Sequence, residues 1–158
     1  MEIQDLKQFI IEANGEGYAA EGNEKEKKNR IEEPDGSKTI IYERGEWKMV
    51  DNYVGGEPYA GMTKIFFQNR VVWSMVYYGT VVKEVNDFGE IYEFLKKSLL
   101  RMPSDYPFRG PKEFVEGEWK YINEWIGEVE QFSGEEKIYL NEKQVFGTRY
   151  LGGLVNER

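Results

Sequence analysis

Ile3, Leu6, Phe9, Ile10 and Ala13 recur at the three- and four-residue spacing of one helix face, with Asp5, Lys7, Gln8 and Glu12 on the other side. The pattern predicts an amphipathic helix that stops near Asn14-Gly15. Glu21 to Ser37 is dense in Glu, Lys, Asn and Gly and nearly devoid of apolar residues. It reads as an exposed loop, mobile at least in part, closed by the turn signal Pro34-Asp35-Gly36-Ser37. From Lys38 the period changes to two, and β-branched and aromatic residues dominate. Four strands are expected at about 38–44, 46–54, 62–68 and 71–79. Tight turns are expected at Arg44-Gly45 and around Asn69, with a longer connection at Gly55-Gly56-Glu57-Pro58. A second helix is predicted from Asp87, with Glu90 as its capping partner and Phe88, Ile91, Leu95 and Leu99 on one face. Pro103 ends it. Strands return at about 113–116, 118–127, 135–141 and 144–152.

The second set repeats the first. Gly45 to Val82 recurs as Gly117 to Val155: Gly-Glu-Trp-Lys at 45–48 matches 117–120. Gly55 then pairs with Gly127, Gly61 with Gly134, Lys64-Ile65 with Lys137-Ile138, Val72 with Val145, Tyr77 with Tyr150, Gly79 with Gly152 and Val82 with Val155. One inserted residue near Gln131 keeps the register. These identities far exceed what average residue usage gives by chance. The expected fold is α+β: a tandem duplication of a helix plus a four-stranded antiparallel sheet, related by a pseudo-twofold. The whole chain would form one domain of two repeats, 1–85 and 86–158.

Alternation places Trp47, Met49, Asp51 and Tyr53 on one face of the second strand and Lys48, Val50, Asn52 and Val54 on the other. In the fourth strand Trp73, Met75 and Tyr77 oppose Val72, Ser74, Val76 and Tyr78. Both faces are rich enough in apolar or aromatic groups that both are expected to be at least partly covered, one by the helix and the other by the second repeat. Trp47 and Trp119 are expected in equivalent, substantially buried positions. Part of the aromatic face also suits a cleft, where Trp and Tyr give flat apolar surface while Asp51, Lys64 and Tyr hydroxyls orient a ligand. The repeats differ where a ligand would sit: Asp51 against Asn123, Tyr53 against Trp125, Met75 against Thr148, Tyr78 against Leu151. Relaxed packing after duplication accounts for the same differences without a site.

Composition narrows the chemistry. Cys and His are both absent, which removes disulfides, thiolate nucleophiles, Ser-His and Cys-His arrangements and most zinc or copper sites. No cofactor and no metal are expected. A net charge of −8, with no run of Lys and Arg long enough to track a phosphate backbone, argues against direct nucleic-acid binding. No apolar run approaches a membrane span and no leader pattern opens the chain, so a cytoplasmic protein with no membrane association is expected. Oligomeric state is not legible.

Three strings stand out: Tyr53-Val54-Gly55-Gly56-Glu57-Pro58-Tyr59-Ala60-Gly61, Val72-Trp73-Ser74-Met75-Val76-Tyr77-Tyr78-Gly79 and Tyr106-Pro107-Phe108-Arg109-Gly110-Pro111. At these residues the chain resembles a bacterial and archaeal domain-of-unknown-function family, some members of which carry Xre-type transcriptional regulator descriptions. The resemblance implies no activity. A regulator role would come from a fused helix-turn-helix module, for which this chain has no candidate pair of helices. In the third string two prolines stiffen the loop and hold Arg109 in a defined direction, suited to a carboxylate or phosphate. The other reading has Arg109 pair with a protein carboxylate and pin the connector. Gly55-Gly56 reads as a bend rather than a phosphate cradle.

The leading expectation is a small-molecule or peptide binding module with an aromatic cleft formed by Trp47, Asp51, Tyr53, Trp73, Tyr77 and Tyr78, and Arg109 as an anion contact. The alternatives are a cofactor-independent acid-base enzyme, with Asp51 or Glu57 as base and a Tyr as acid, and a protein-protein interaction domain.

Overall fold

The structure is a computed structural model in which residues 1–17, 30–82 and 88–156 are described. Helix α1 (Ile3–Glu16) is followed by β1 (Arg30–Glu32), β2 (Lys38–Arg44), β3 (Trp47–Gly55), β4 (Tyr59–Phe67) and β5 (Arg70–Val81). Helix α2 (Gly89–Leu99) then leads to β6 (Glu113–Glu116), β7 (Trp119–Glu128), β8 (Gln131–Leu140) and β9 (Lys143–Leu154). Every strand pairs antiparallel in one nine-stranded sheet of order β1-β2-β3-β4-β5-β9-β8-β7-β6. Two meanders of short hairpins therefore meet edge to edge, through β5 and β9.

Strand alternation dictated the ladders closely, and β2 and β6 match the expected limits. β1 is the addition. It lies in the stretch read as a loop, because Arg30-Ile31-Glu32 has no apolar pattern and is held by backbone pairing to β2 alone. A short charged edge strand of this kind discourages further pairing. The rest of that stretch up to residue 29, with its Glu-Lys run, lies outside the described residues. So does Asp87, the expected cap; the residue before α2 is Phe88, whose side chain makes no cap bond.

Register puts one row of side chains across six strands: Tyr53, Gly61, Tyr77, Tyr150, Gly134 and Trp125. Its midpoint falls between Tyr77 and Tyr150. Each of these tyrosines lies over the glycine of its neighbouring strand, and a Cβ on Gly61 or Gly134 would stand 2.3 Å from the phenol. Glycine is required at both positions for the rings to lie flat. The two halves also share irregularities, with register shifts at Ile65/Phe66 and at Ile138/Tyr139. The turn from Gly127 to Phe132 is one residue longer than the turn from Gly55 to Tyr59.

Both helices cover the face that carries this row. Phe9 of α1 stacks on Trp47 at 5.3 Å, and Phe94 of α2 lies 5.4 Å from Trp119. Both tryptophans are half-buried. Leu6, Phe9, Ile10 and Ala13 of α1, with Ile91, Phe94, Leu95 and Leu99 of α2, complete the core against Ile40, Ile65, Trp73, Tyr121, Ile138 and Phe146. The opposite face is open. Val76, Tyr78, Leu151 and Ile126 on it are 36, 54, 58 and 75 % exposed. This corrects the expectation that the second half would cover that face: the halves join through backbone bonds at their edges. The exposed apolar residues are dispersed among Lys48, Lys64, Arg149, Glu135 and Glu124, a mixture that water tolerates.

Candidate functional site

The strand alternation that builds the core also carries polar groups inward. Asp51 on β3 is opposite Thr63 on β4, which is opposite Met75 on β5. Asp51 is 4 % exposed. Thr63 donates its hydroxyl to Asp51 Oδ1 at 2.7 Å, and the Tyr77 hydroxyl lies 3.0 Å from both carboxylate oxygens. Burial pushes the Asp51 carboxyl up from its ordinary 3.8; the two hydrogen bonds and the charge of Arg109 oppose that shift.

Arg109 enters from the connector between α2 and β6 and is 5 % exposed. Its Nε donates to Glu136 Oε2 at 2.8 Å, and its guanidinium lies 5.4 Å from the Tyr77 ring centroid. Glu136 is fully buried and accepts a second bond from the Tyr121 hydroxyl at 2.5 Å; Tyr121 in turn accepts from Gly110 N at 3.0 Å. Burial, reinforced by the neighbouring Glu136, holds the Tyr121 phenol well above its ordinary 10.0. Arg109 thus serves an internal carboxylate, and the Pro-framed connector is pinned to β8. Of the two readings of that loop, pairing within the protein is the geometry found. Glu136 was missed by the sequence reading. Its signal was its phase: it alternates with Phe132, Gly134 and Ile138, so it had to point inward.

The two halves fill equivalent positions differently. Asn123 on β7 occupies by register the place that Asp51 has on β3, and its polar atoms are consumed internally. Tyr150 donates to its Oδ1 at 2.7 Å, its Nδ2 donates to Gly110 O at 2.9 Å, and its backbone N–H donates to Lys112 O at 3.0 Å. The connector fills that side, with Phe108 stacked on Phe132 at 4.0 Å. Beside Asp51 the packing instead leaves a cavity of about 50 Å3. Asp51, Thr63, Tyr77 and Arg109 are its polar lining; Met49, Ile65, Trp73, Met75 and Phe108 are its apolar walls. Half-buried Asn14 and Met102 border it, from the end of α1 and the start of the connector. Asn14 Nδ2 donates to Leu99 O at 2.9 Å, tying the C-terminal ends of the two helices together above it.

Four of the seven expected site residues therefore meet: Asp51, Trp73, Tyr77 and Arg109. Trp73 is anchored by its indole N–H, which donates to Val129 O at 3.0 Å. The other three lie elsewhere. Trp47 packs between Phe9 and Phe67 under α1, and Tyr53 is half-buried with Lys38 Nζ 5.8 Å from its ring centroid. Tyr78 points to the open face, as does Lys64, opposite Val50 and Ser74. Glu57 is also apart from the cavity. It accepts bonds from the Thr80 hydroxyl at 2.8 Å, the Val81 N–H at 2.7 Å and the Tyr92 hydroxyl, and so fastens the β3–β4 turn to β5 and α2.

Among the described residues no group of three or more Asp and Glu is arranged to hold a metal ion, and no helix is long and apolar enough to cross a membrane. Residues 51–155 match the family described as a domain of unknown function, DUF5680, and the chain belongs to that family. No curated protein and no solved structure matches the chain.

Proposed function

We propose that this DUF5680 chain is a small-molecule binding module whose site is the cavity beside Asp51. One observation carries the reading: a space with apolar walls is kept at the floor of the covered face, and the group facing it is a buried carboxylate whose hydrogen bonds, among the described residues, come from two neutral hydroxyls. A few convergent polar groups in a largely apolar recess are the ordinary makeup of a ligand pocket. The size favours a small molecule over a peptide, because about 50 Å3 admits a few heavy atoms and no length of backbone.

The site reading is joined to a second one, that Gly45–Val82 and Gly117–Val155 are a duplicated unit. Matching register shifts, the paired Tyr-over-Gly contacts and the strand order support it. On that reading one copy kept a filled core at Asn123 while the other opened a pocket at Asp51. The acid-base enzyme reading gains less support, since Glu57 is fully engaged in structural bonds and the Tyr77 hydroxyl is directed at Asp51.

A thermal-shift screen against small metabolites tests the proposal. Saturation at about 100 times Kd stabilises by about 2.7 kcal/mol, and each kcal/mol moves the midpoint of a chain this size by about 2–4 °C. Met102→Trp, a substitution at the half-buried edge of the cavity, should abolish the shift. A ligand whose effect survives Met102→Trp binds elsewhere and defeats the reading.

A further inference from the structure

Resting on the reading of the Asp51 cavity as a ligand site, we propose that the buried end of the ligand is a cationic head, an ammonium group on a short apolar stem, seated on Asp51. The first argument is charge. Among the described residues no cation lies within ion-pair distance of Asp51; the charge of Arg109 acts on Asp51 from beyond that distance, while its Nε is bonded to Glu136. The described buried charges here are then two carboxylates against one guanidinium, and a single positive head balances them. A buried carboxylate is stable when paired, and its hydrogen-bond partners among the described residues, Thr63 and Tyr77, are neutral.

The second argument is the contrast between halves. Where the connector fills the space, the side chain is a neutral amide whose oxygen and nitrogen are both satisfied by the protein. Where the space is open, the side chain is a carboxylate. If position 51 served packing alone, an amide would suit it as well, so the charge is matched to what enters. The third argument is size. An apolar cavity of about 150 Å3 holds benzene, so about 50 Å3 takes a head and its first carbons, with Met49, Ile65 and Met75 against the stem. Trp73 and Phe108 add ring surface suited to a cation. Burial raises the Asp51 carboxyl, and a positive head beside it would oppose that rise.

Ethylammonium, ethanol and propionate, at equal ionic strength, form the test series. Two readouts are followed: the melting midpoint, and the indole N–H resonance of Trp73, assigned by its loss in Trp73→Phe. Ethylammonium alone should move the Trp73 resonance saturably and raise the midpoint, with at least a tenfold loss of affinity in Asp51→Asn. The resonance is read in the unsubstituted protein, so the test stands even if Asp51→Asn folds poorly. If ethanol or propionate moves the resonance as strongly, or Asp51→Asn binds ethylammonium undiminished, the cationic head is overturned while the cavity remains a ligand site. If none of the three moves it, the cationic head falls; if in addition the metabolite screen finds no ligand sensitive to Met102→Trp, the site reading falls with it.

Discussion

Replacing Asp51 with Asn, the residue at the register-equivalent position 123, separates a carboxylate kept for a ligand from one that holds the fold. In the ligand-free protein the substitution removes a buried charge whose hydrogen-bond partners among the described residues are two hydroxyls, those of Thr63 and Tyr77. Hydrogen bonds to a charged group are worth about 1.5–3 kcal/mol and neutral ones about 0.5–1.5, so weakening two of them forfeits about 2 kcal/mol. Against this stands the penalty of burying an ion outside ion-pair distance of the described cations, which is several kcal/mol after relaxation. The balance predicts a midpoint unchanged or raised by up to about 8 °C, using about 2–4 °C per kcal/mol. The dependence on pH is a sharper signature. The folded-state pKa of Asp51 lies above its ordinary 3.8, so the folded state holds the proton more tightly than the unfolded one. The stability this contributes is fully present below the ordinary value and is lost as pH rises through the elevated one. The advantage of Asp51→Asn over the parent should therefore grow with pH across that window. Calorimetric melts of both proteins between about pH 4 and pH 8 supply the measurement. A fall in midpoint of more than about 4 °C, or an advantage that shrinks as pH rises, refutes the reasoning.

Arg109→Ala should destabilise by about 3–5 kcal/mol, because Glu136 is left buried without its ion-pair partner and with the Tyr121 hydroxyl as its remaining hydrogen bond among the described residues; denaturant unfolding measures it, and a loss under 1 kcal/mol would contradict the pairing. Gly61→Ala should cost about 1–3 kcal/mol by driving the new Cβ into the Tyr77 ring, and Tyr77→Phe should leave the ring packing intact while removing a donor to Asp51. Equal stability of Gly61→Ala and the parent would show that the ring is free to move. Trp73→Phe should cost about 1–3 kcal/mol through the unsatisfied Val129 carbonyl, read from the same unfolding curves, with an unchanged midpoint counting against that bond.

The strands were legible because side chains alternate every second residue, and Trp47, Asp51, Trp73 and Tyr77 were correctly assigned to one face on that basis. What covers a face is a different question. Alternation says which residues share a side, and nothing in it distinguishes Val76 or Leu151 facing water from the same residues facing a second sheet. Tyr78 and Lys64 fail as site residues for the same parity that admits Tyr77 and Thr63, since neighbours in a strand point opposite ways. The cavity could not be read at all. It depends on Asn14 and Met102 approaching from segments far away in sequence, and on Phe108 filling one half and not the other.

The seam between β5 and β9 also has a kinetic meaning. Every other ladder joins strands that are consecutive along the chain, so each meander closes through short loops at small entropic cost. The pairing of Trp73 with Leu154 and of Tyr77 with Tyr150 brings together segments separated by α2, the connector and three strands. Nearly all of the long-range closure is concentrated there. Folding should proceed by fast formation of two hairpin arrays and a slower joining step, and substitutions along the seam should alter the refolding rate more than equal losses of stability in the hairpins. The Asp51 cavity lies between β3, β5 and a connector held by β8, on both sides of that seam. The pocket is thus among the last features to form, and a ligand bound in it would act chiefly on the rate at which the two arrays come apart.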